Sequence, residues 1–319
     1  MSYWFEKNGM RRFRRVDMPV GLSIVPRQPL RSSELQTYGI DYFPPSMEKR
    51  IQQAQKHLHY WINHIQEQKE VLIPVFANFE RYGRYFGSWV ASVSLQARSP
   101  RSDVATWLEF HAHAKGVQSL EELAEQAPKT FRYFDLLNVK LQSYFRHFGQ
   151  CLDKSTASHF DLSEKRPRDF EVDALAKKLA ASVSKEPKVP LVQALYYLLV
   201  YMSYYFRAYD EMIQDLTPVS TPSRWTKREV NLSAGGLSLL VDKRYPANTR
   251  FDIGLFFPET QHLIDFEAAL VRSTTMSRIY RESNAFNFNF PDGYYQKMVI
   301  YEIERYEIRS SMDVMGLNP

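Results

Sequence analysis

The segment that decides the fold is NLSAGGLSLLV, residues 231–241, in the last third of the chain. In its second half Leu237, Leu239 and Val241 recur at every second position, a period that is typical of a β-strand with one buried face. Its first half, 231–236, is rich in asparagine, serine and glycine, which favour tight turns. The segment therefore predicts a turn that leads directly into a strand.

Strand patterns continue after this turn and reach their clearest form in FNFNF, residues 286–290, where apolar and polar side chains alternate strictly. Residues 294–309 then predict a closing helix. This C-terminal set of strands lacks a first strand, and the strand pattern at 20–24 near the N-terminus lacks partners. Because an isolated strand is unstable and an open sheet exposes an edge, we expect the two pieces to form one small antiparallel β-barrel.

The residues between these two pieces follow a helical period, interrupted by prolines and by a Ser/Thr/Pro stretch at 217–223. The candidate helices are 47–69, 73–97, 103–115, 119–127, 130–153, 168–185 and 190–214. The predicted fold class is therefore α+β. A small antiparallel β-barrel with a C-terminal helix is formed by 1–31 and 224–319, and an all-α helical domain is inserted as 32–223.

Composition narrows the class of protein. The chain has 319 residues, enough for two domains, and a single cysteine, Cys151, which excludes an internal disulfide. No secretory signal pattern precedes the first strand. The most apolar segment, 191–206, is interrupted by polar residues and is too short to span a bilayer. These features indicate a soluble cytoplasmic protein without a membrane span.

Positive charge is concentrated at the N-terminus. The chain carries 41 Lys and Arg residues and 36 Asp and Glu residues, a net charge of +5. The first 31 residues hold seven of the basic and two of the acidic residues, so they account for the whole excess. A focused basic patch attracts phosphate groups. A general nucleic-acid binder carries basic residues more widely, so we do not expect a nucleic-acid partner.

Two short motifs fit this picture. Arg11 and Arg15 have an R-x-x-x-R spacing just before the first strand, and Asn231, Ser233 and Gly236 have an N-x-S-x-x-G spacing in the turn. Together they resemble the signature of the PilZ domain, a small β-barrel family whose typical bacterial members bind the second messenger cyclic di-GMP. In that family the motifs lie a few tens of residues apart, whereas Arg15 and Asn231 are 216 positions apart. The resemblance implies a PilZ-like barrel with the helical domain inserted after its first strand.

The resemblance also implies one ligand site shared by both motifs. In the family the arginine segment wraps over the ligand, and guanidinium groups suit phosphate oxygens, guanine edges and purine faces. The asparagine is expected at a guanine edge, the serine offers a hydroxyl, and the glycines allow positive φ and close approach of the main chain. Arg228 precedes the turn and is expected at the same rim. The expected ligand-binding residues are Arg11, Arg12, Arg14, Arg15, Arg228, Asn231, Ser233, Gly235 and Gly236.

Each motif also has a purely structural explanation. Basic N-terminal tracts are common, and Asn-Ser-Gly turns occur in many hairpins. A second R-x-x-x-R spacing, Arg224 to Arg228, leaves no room for a strand before Asn231 and is interpreted as coincidental. The His57–His59 and His111–His113 pairs point to different faces of a helix, so neither predicts a metal site.

The leading functional prediction is a non-enzymatic cyclic di-GMP receptor without a cofactor, since the sequence has no nucleophile–base motif, metal motif or dinucleotide fingerprint. Its signal is expected to pass by conformational change to a protein partner through the helical insertion. The alternative is a PilZ-like interaction or scaffold module that does not bind nucleotide, because the insertion could cover the pocket. The tyrosine-rich stretch 196–209 predicts a central helix of the inserted domain, with self-association into a homo-oligomer as the alternative.

Overall fold

The computed structural model describes residues 13–118, 120–164, 170–185, 189–217 and 219–314. The chain divides into two compact units, one made of Met1–Gln28 and Pro218–Pro319 and the other of Pro29–Thr217. The first unit is a β-barrel with a helix, and the second is helical with one pair of very short strands.

The secondary-structure elements are numbered in chain order. The strands are β1 (Val16–Pro26), β2 (Leu30–Arg31), β3 (Gln36–Thr37), β4 (Lys227–Ser233), β5 (Gly236–Val241), β6 (Arg250–Phe257), β7 (His262–Met276) and β8 (Arg281–Asn289). The α-helices are α1 (Pro45–Asn63), α2 (Lys69–Gln96), α3 (Val104–Ala114), α4 (Glu121–Gln126), α5 (Pro128–Lys154), α6 (Phe170–Lys185), α7 (Pro190–Leu216) and α8 (Gly293–Val314).

Six of the strands close into an antiparallel barrel in the order β1-β4-β5-β8-β7-β6. The N-terminal strand β1 closes it, because its first half pairs with β4 and its second half pairs with β6. The predicted α+β fold, a barrel with a C-terminal helix and a large helical insertion, is confirmed. The prediction that the N-terminal segment supplies the first strand of the barrel is confirmed as well, because β1 pairs with both β4 and β6 and leaves no exposed edge between them.

The barrel interior is filled by inward-facing apolar side chains from its strands. Phe251 and Phe286 meet edge to face with ring centroids 5.1 Å apart, an arrangement that aromatic pairs favour. Other side chains buried in the barrel are Val20, Leu232, Leu237, Ile253, Leu255 and Ile264. The helix α8 belongs to the same unit and packs on β1, β4 and β7, with Val299 and Ile303 buried.

One end of β8 departs from the apolar pattern that the sequence suggests. Glu282 and Asn284 lie on its buried face, and neither residue has any exposed surface. Arg244 donates from Nε to Glu282 at 2.8 Å, and Asn284 donates to the main-chain oxygen of Lys243 at 3.0 Å. A buried carboxylate needs a partnered cation, so Arg244 explains how a polar residue occupies a core position here.

The helical unit is built around α7, which packs against α1, α2, α5 and α6. Its tyrosines at 201, 205 and 209 are buried, as a central helix requires. The predicted helices match α1–α7 closely, except that the first one ends at Asn63, because the chain turns and Gln68 enters the left-handed region with φ 54° before α2. Among the described helices, none is both long enough and apolar enough to cross a membrane.

Candidate functional site

The chain leading into β1 and the β4–β5 hairpin meet on the outer wall of the barrel. Arg15 donates from Nη1 to Oδ1 of Asn231 at 3.3 Å. The amide nitrogen of Asn231 in turn donates to Oδ1 of Asp17 at 2.8 Å. Asp17 and Asn231 are directly opposite each other in the register of β1 and β4. The strand pairing therefore places Arg15 beside Asn231 of the N-x-S-x-x-G motif.

The preceding arginine has a partner of its own. Arg14 forms an ion pair from Nη2 to Oε1 of Glu307 on α8, at 2.6 Å. The Arg14 side chain is 79% exposed, whereas the Glu307 side chain is 23% exposed. An exposed pair of this kind contributes at most about 1 kcal/mol. The arginine is therefore held by a weak contact that a stronger anion can replace.

The hairpin between β4 and β5 turns at Ala234 and Gly235. Ser233 is buried, and its hydroxyl donates to the main-chain oxygen of Gly236 at 3.0 Å. Gln296 of α8 donates to the main-chain oxygen of Ala234 at 3.2 Å. These contacts fix the hairpin, so the serine hydroxyl is engaged within the turn itself.

The two glycines of the hairpin serve close packing. Neither Gly235 nor Gly236 has φ in the left-handed region, so the expected use of positive φ is wrong. A Cβ on Gly236 would lie 2.4 Å from the main-chain oxygen of Phe286 on β8, too close for any other residue. A Cβ on Gly235 would lie 3.2 Å from the ring of Phe13. Gly236 is therefore required by the approach of β5 to β8.

The remaining arginines of the predicted site are placed differently. Arg11 and Arg12 lie outside the described residues. Arg228 is in β4, opposite Val20, and three positions from Asn231. Because successive side chains of a strand point to opposite faces, Arg228 and Asn231 lie on opposite faces of β4. The structure thus brings Arg15 to Asn231 but does not bring Arg228 there.

A further arginine lies in the same outward row of the barrel wall. The register places Asn231 opposite Ser238, Ser238 opposite Ala285, and Ala285 opposite Arg272. The two middle residues are small, so they form a shallow floor between the asparagine and the arginine. Arg272 is exposed, and it has no side-chain partner among the described residues. Arg272 was not predicted as a site residue, because only the register across β4, β5, β8 and β7 shows that it lies in the same row as Asn231.

The most conspicuous buried polar cluster in the helical unit involves the cysteine. Cys151 lies near His147, whose Nδ1 is 2.6 Å from the hydroxyl of Tyr209. Burial raises the pKa of the Cys151 thiol to about 12, so very little thiolate is present near neutral pH. Burial likewise raises the pKa of Tyr209 well above its usual value. The cluster therefore lacks the activated nucleophile that thiol chemistry needs.

The chemistry of the barrel-wall site suits an anion with flat aromatic groups, because arginine side chains flank a floor of small residues. Within the described ranges, no group of three or more His, Cys, Asp or Glu side chains could hold a metal ion. No family model, no curated protein and no solved structure matches this chain.

Proposed function

We propose that the chain is a non-enzymatic, cytoplasmic receptor for cyclic di-GMP, with a PilZ-like barrel that presents the ligand site on its outer wall. The single observation that carries the proposal is the hydrogen bond of 3.3 Å between Arg15 and Asn231. It joins one member of each motif whose combination resembles the PilZ signature. The separation of the motifs along the chain is therefore no obstacle to a shared site.

The chemistry of the ligand fits the residues around this contact. Cyclic di-GMP has two phosphodiesters and two guanines. Guanidinium groups can donate two hydrogen bonds to a phosphate or a guanine edge and can stack on a purine. Arg15, through Asn231, borders one side of the floor made by Ser238 and Ala285, and Arg272 borders the other. A flat base over that floor would meet small side chains below and guanidinium groups at its edges.

Binding must replace contacts that the free protein already makes. Glu307 holds Arg14, and Asp17 accepts the hydrogen bond from Asn231. Exposed ion pairs contribute at most about 1 kcal/mol, whereas hydrogen bonds to charged groups contribute about 1.5–3 kcal/mol. The contact with Glu307 is therefore a small cost that a phosphodiester taking two guanidinium hydrogen bonds has to offset.

The signal is proposed to pass through the chain connection between the units. The arginine segment leads directly into β1, and β1 leads into the helical unit that begins at Pro29. Ordering of the segment on the ligand would shift the population of arrangements of the helical unit, and a protein partner would respond to that shift. The size of the response is limited by the difference in ligand affinity between the arrangements.

A second candidate is an interaction module of the same fold that does not bind nucleotide. One observation favours it. Asn231 already has a hydrogen-bond partner in Asp17, and Arg14 already has an ion-pair partner in Glu307, so neither side chain needs a ligand. Both carboxylates also repel phosphate. The candidates differ in a single property, the affinity for the dinucleotide.

Isothermal titration calorimetry of the purified chain with cyclic di-GMP tests the proposal. The receptor gives saturable heat, and the Arg11→Ala, Arg15→Ala double variant loses it. No heat and no thermal shift with the wild type favour the interaction module. A double variant that binds as tightly as the wild type refutes the site. Affinity for DNA or RNA that falls steeply with salt would instead indicate a nucleic-acid binder.

A further inference from the structure

A second surface feature of the barrel lies away from the Arg15–Asn231 contact. It is a groove of about 530 Å³ on the outer wall, lined by residues of β1, β6, β7 and the end of β8, together with Trp225. We propose that this surface, the Trp225 groove, binds an arginine or lysine side chain from an extended segment of a partner protein. The proposal does not depend on nucleotide binding.

The strand register explains the shape of the groove. Ser23, Gly254 and Asp265 stand side by side in one outward row across β1, β6 and β7. Gly254 leaves the middle of that row without a side chain, and the indole of Trp225 lies over it. A Cβ at Gly254 would be 2.2 Å from Cη2 of Trp225. The glycine thus lets the aromatic ring approach the main chain of the sheet closely.

The indole is held in place by its own hydrogen bond. Trp225 donates from Nε1 to the main-chain oxygen of Val219 at 2.6 Å. The ring is therefore oriented before any partner binds, which lowers the entropic cost of using it for recognition. At the other end of the groove Phe290 and Pro291 form an apolar wall. The apolar walls of the groove suit the aliphatic part of an arginine or lysine side chain, and its carboxylates suit the charged end of that side chain.

The groove has an excess of negative charge. Three carboxylates line it, on Asp252, Asp265 and Glu267, against the one guanidinium of Arg27. Arg27 pairs with Asp252 at 2.8 Å and also with Glu267, and Arg250 pairs with Glu267 at 3.0 Å, so two of the three carboxylates are neutralised. Asp265 has no side-chain partner among the described residues. Burial and the neighbouring charge of Asp252 raise its pKa, so a cation beside it would relieve an unfavourable environment.

The carboxylate and the aromatic ring lie close enough to act on one cation. A Cβ at Gly254 would be 2.7 Å from Oδ1 of Asp265, so the oxygen and the indole both border the same point. The indole already fills that point, so an ammonium or guanidinium group lies in the open groove, beside Trp225 and Asp265, which both line it. A carboxylate and an aromatic ring both favour a cation. Among the described residues Asp265 has no side-chain partner, so the charge it leaves open in the groove is negative and favours a cationic side chain over a phosphate.

Both connections between the two units begin near the groove. Ser23 and Val25, in the last part of β1, line it shortly before the chain enters Pro29–Thr217, and Trp225 lines it shortly after the chain leaves that unit. A partner bound in the groove therefore contacts residues adjacent to both connections.

Fluorescence anisotropy tests the proposal with the full chain and a labelled nonapeptide of alternating glycine and arginine. The matched control peptide has citrulline, a neutral isostere, in place of arginine. We expect the arginine peptide to bind with a dissociation constant on the order of 0.1–1 mM and the citrulline peptide to bind at least about five-fold more weakly.

Variants assign the binding to the groove. The substitution Asp265→Asn keeps the shape of an exposed side chain and removes its charge. We expect it to weaken arginine-peptide binding about five-fold or more. The control Asp313→Asn, on α8, should leave the binding unchanged. Trp225→Leu weakens it as well, and Arg15→Ala does not. The proposal is overturned if the wild type does not bind the peptide, if citrulline binds equally, or if Asp265→Asn has no effect. It is also overturned if the basic segment of a second copy occupies the groove, seen as self-association that Asp265→Asn abolishes.

Discussion

Arg15 donates a hydrogen bond of 3.3 Å to Asn231, although 216 positions and the whole helical unit separate the two residues in sequence. The contact exists because β1 and β4 are neighbours in the closed barrel and place Asp17 opposite Asn231. The insertion therefore lengthens the connection between the two motifs without separating them in space.

Removing the carboxylate of Glu307 should strengthen ligand binding. Glu307 pairs with Arg14 in the free protein, so Glu307→Gln removes an internal competitor of the phosphate. Since an exposed pair contributes at most about 1 kcal/mol, the affinity for cyclic di-GMP should rise about two- to five-fold by calorimetry. Glu304→Gln removes the same charge from an exposed position of α8 and should change the affinity less. Equal affinities of all three proteins would contradict the competition.

The two glycines of the hairpin should differ sharply in their tolerance of alanine. Gly236→Ala places a methyl group 2.4 Å from a main-chain oxygen of β8, which cannot move without disturbing the sheet. We expect a loss of about 1–3 kcal/mol in the free energy of unfolding of the barrel. Gly235→Ala meets only the half-exposed ring of Phe13 and should stay within about 0.5 kcal/mol. Urea unfolding followed by circular dichroism compares them, and equal losses would contradict this packing.

The buried carboxylate at the end of the barrel should be needed for stability. Glu282→Ala leaves the guanidinium of Arg244 without its buried partner. Because Arg244 is 33% exposed and keeps its hydrogen bond to Thr275, the free energy of unfolding should fall by about 1–3 kcal/mol. The matched control is Glu229→Ala on the exposed side of β4, which should be nearly neutral. If both variants unfold at the same urea concentration, Glu282 does not have this role.

The single cysteine should resist thiol reagents in the native protein. Cys151 is fully buried, and its pKa is raised from 9.0 to about 12, so Ellman's reagent at pH 8 should react only after denaturation. Above pH 9 the unfolded thiol loses its proton while the folded thiol keeps it, so stability falls as the pH rises from 9.0 towards about 12.

The alkaline loss of stability is measurable by comparison with a variant. Between pH 8 and pH 10 the wild type should lose about 1 kcal/mol more than Cys151→Ala, since one unit above the unfolded pKa corresponds to that free energy. Rapid labelling of the native protein at pH 8, or an identical pH dependence of the variant, would contradict the buried, protonated thiol.

The fold could be predicted from the sequence because its local patterns are strong. The alternation of Leu237, Leu239 and Val241 predicts one strand. The strand around Val20 could pair only with the C-terminal strands, because the chain between them follows a helical pattern. Glu282 and Asn284 broke the pattern, since a polar residue in a strand signals a solvent-facing position unless its partner is known. Arg244, which neutralises Glu282, is 38 residues away and gives no local signal.

The site was harder to predict than the fold. Arg15 and Asn231 could be paired because strand closure requires β1 beside β4. The side of the sheet on which Arg228 lies could not be predicted. Residues three positions apart in one strand face opposite sides, and the sequence does not show that Arg228 and Asn231 belong to the same strand. Arg272 became visible only from the register of four strands, which depends on a bulge between Leu270 and Arg272 in β7.

A double-mutant cycle on Arg15 and Asn231 measures whether these two remote residues contribute to one dinucleotide site. The dissociation constant for cyclic di-GMP is measured by calorimetry for the wild type, Arg15→Ala, Asn231→Ala and the double variant. Each single change is expected to weaken binding about ten-fold or more. The double variant should lose less than the product of the two effects, because the residues contact each other. A wild type that does not bind the dinucleotide, or single variants that bind as tightly as the wild type, would contradict this shared site.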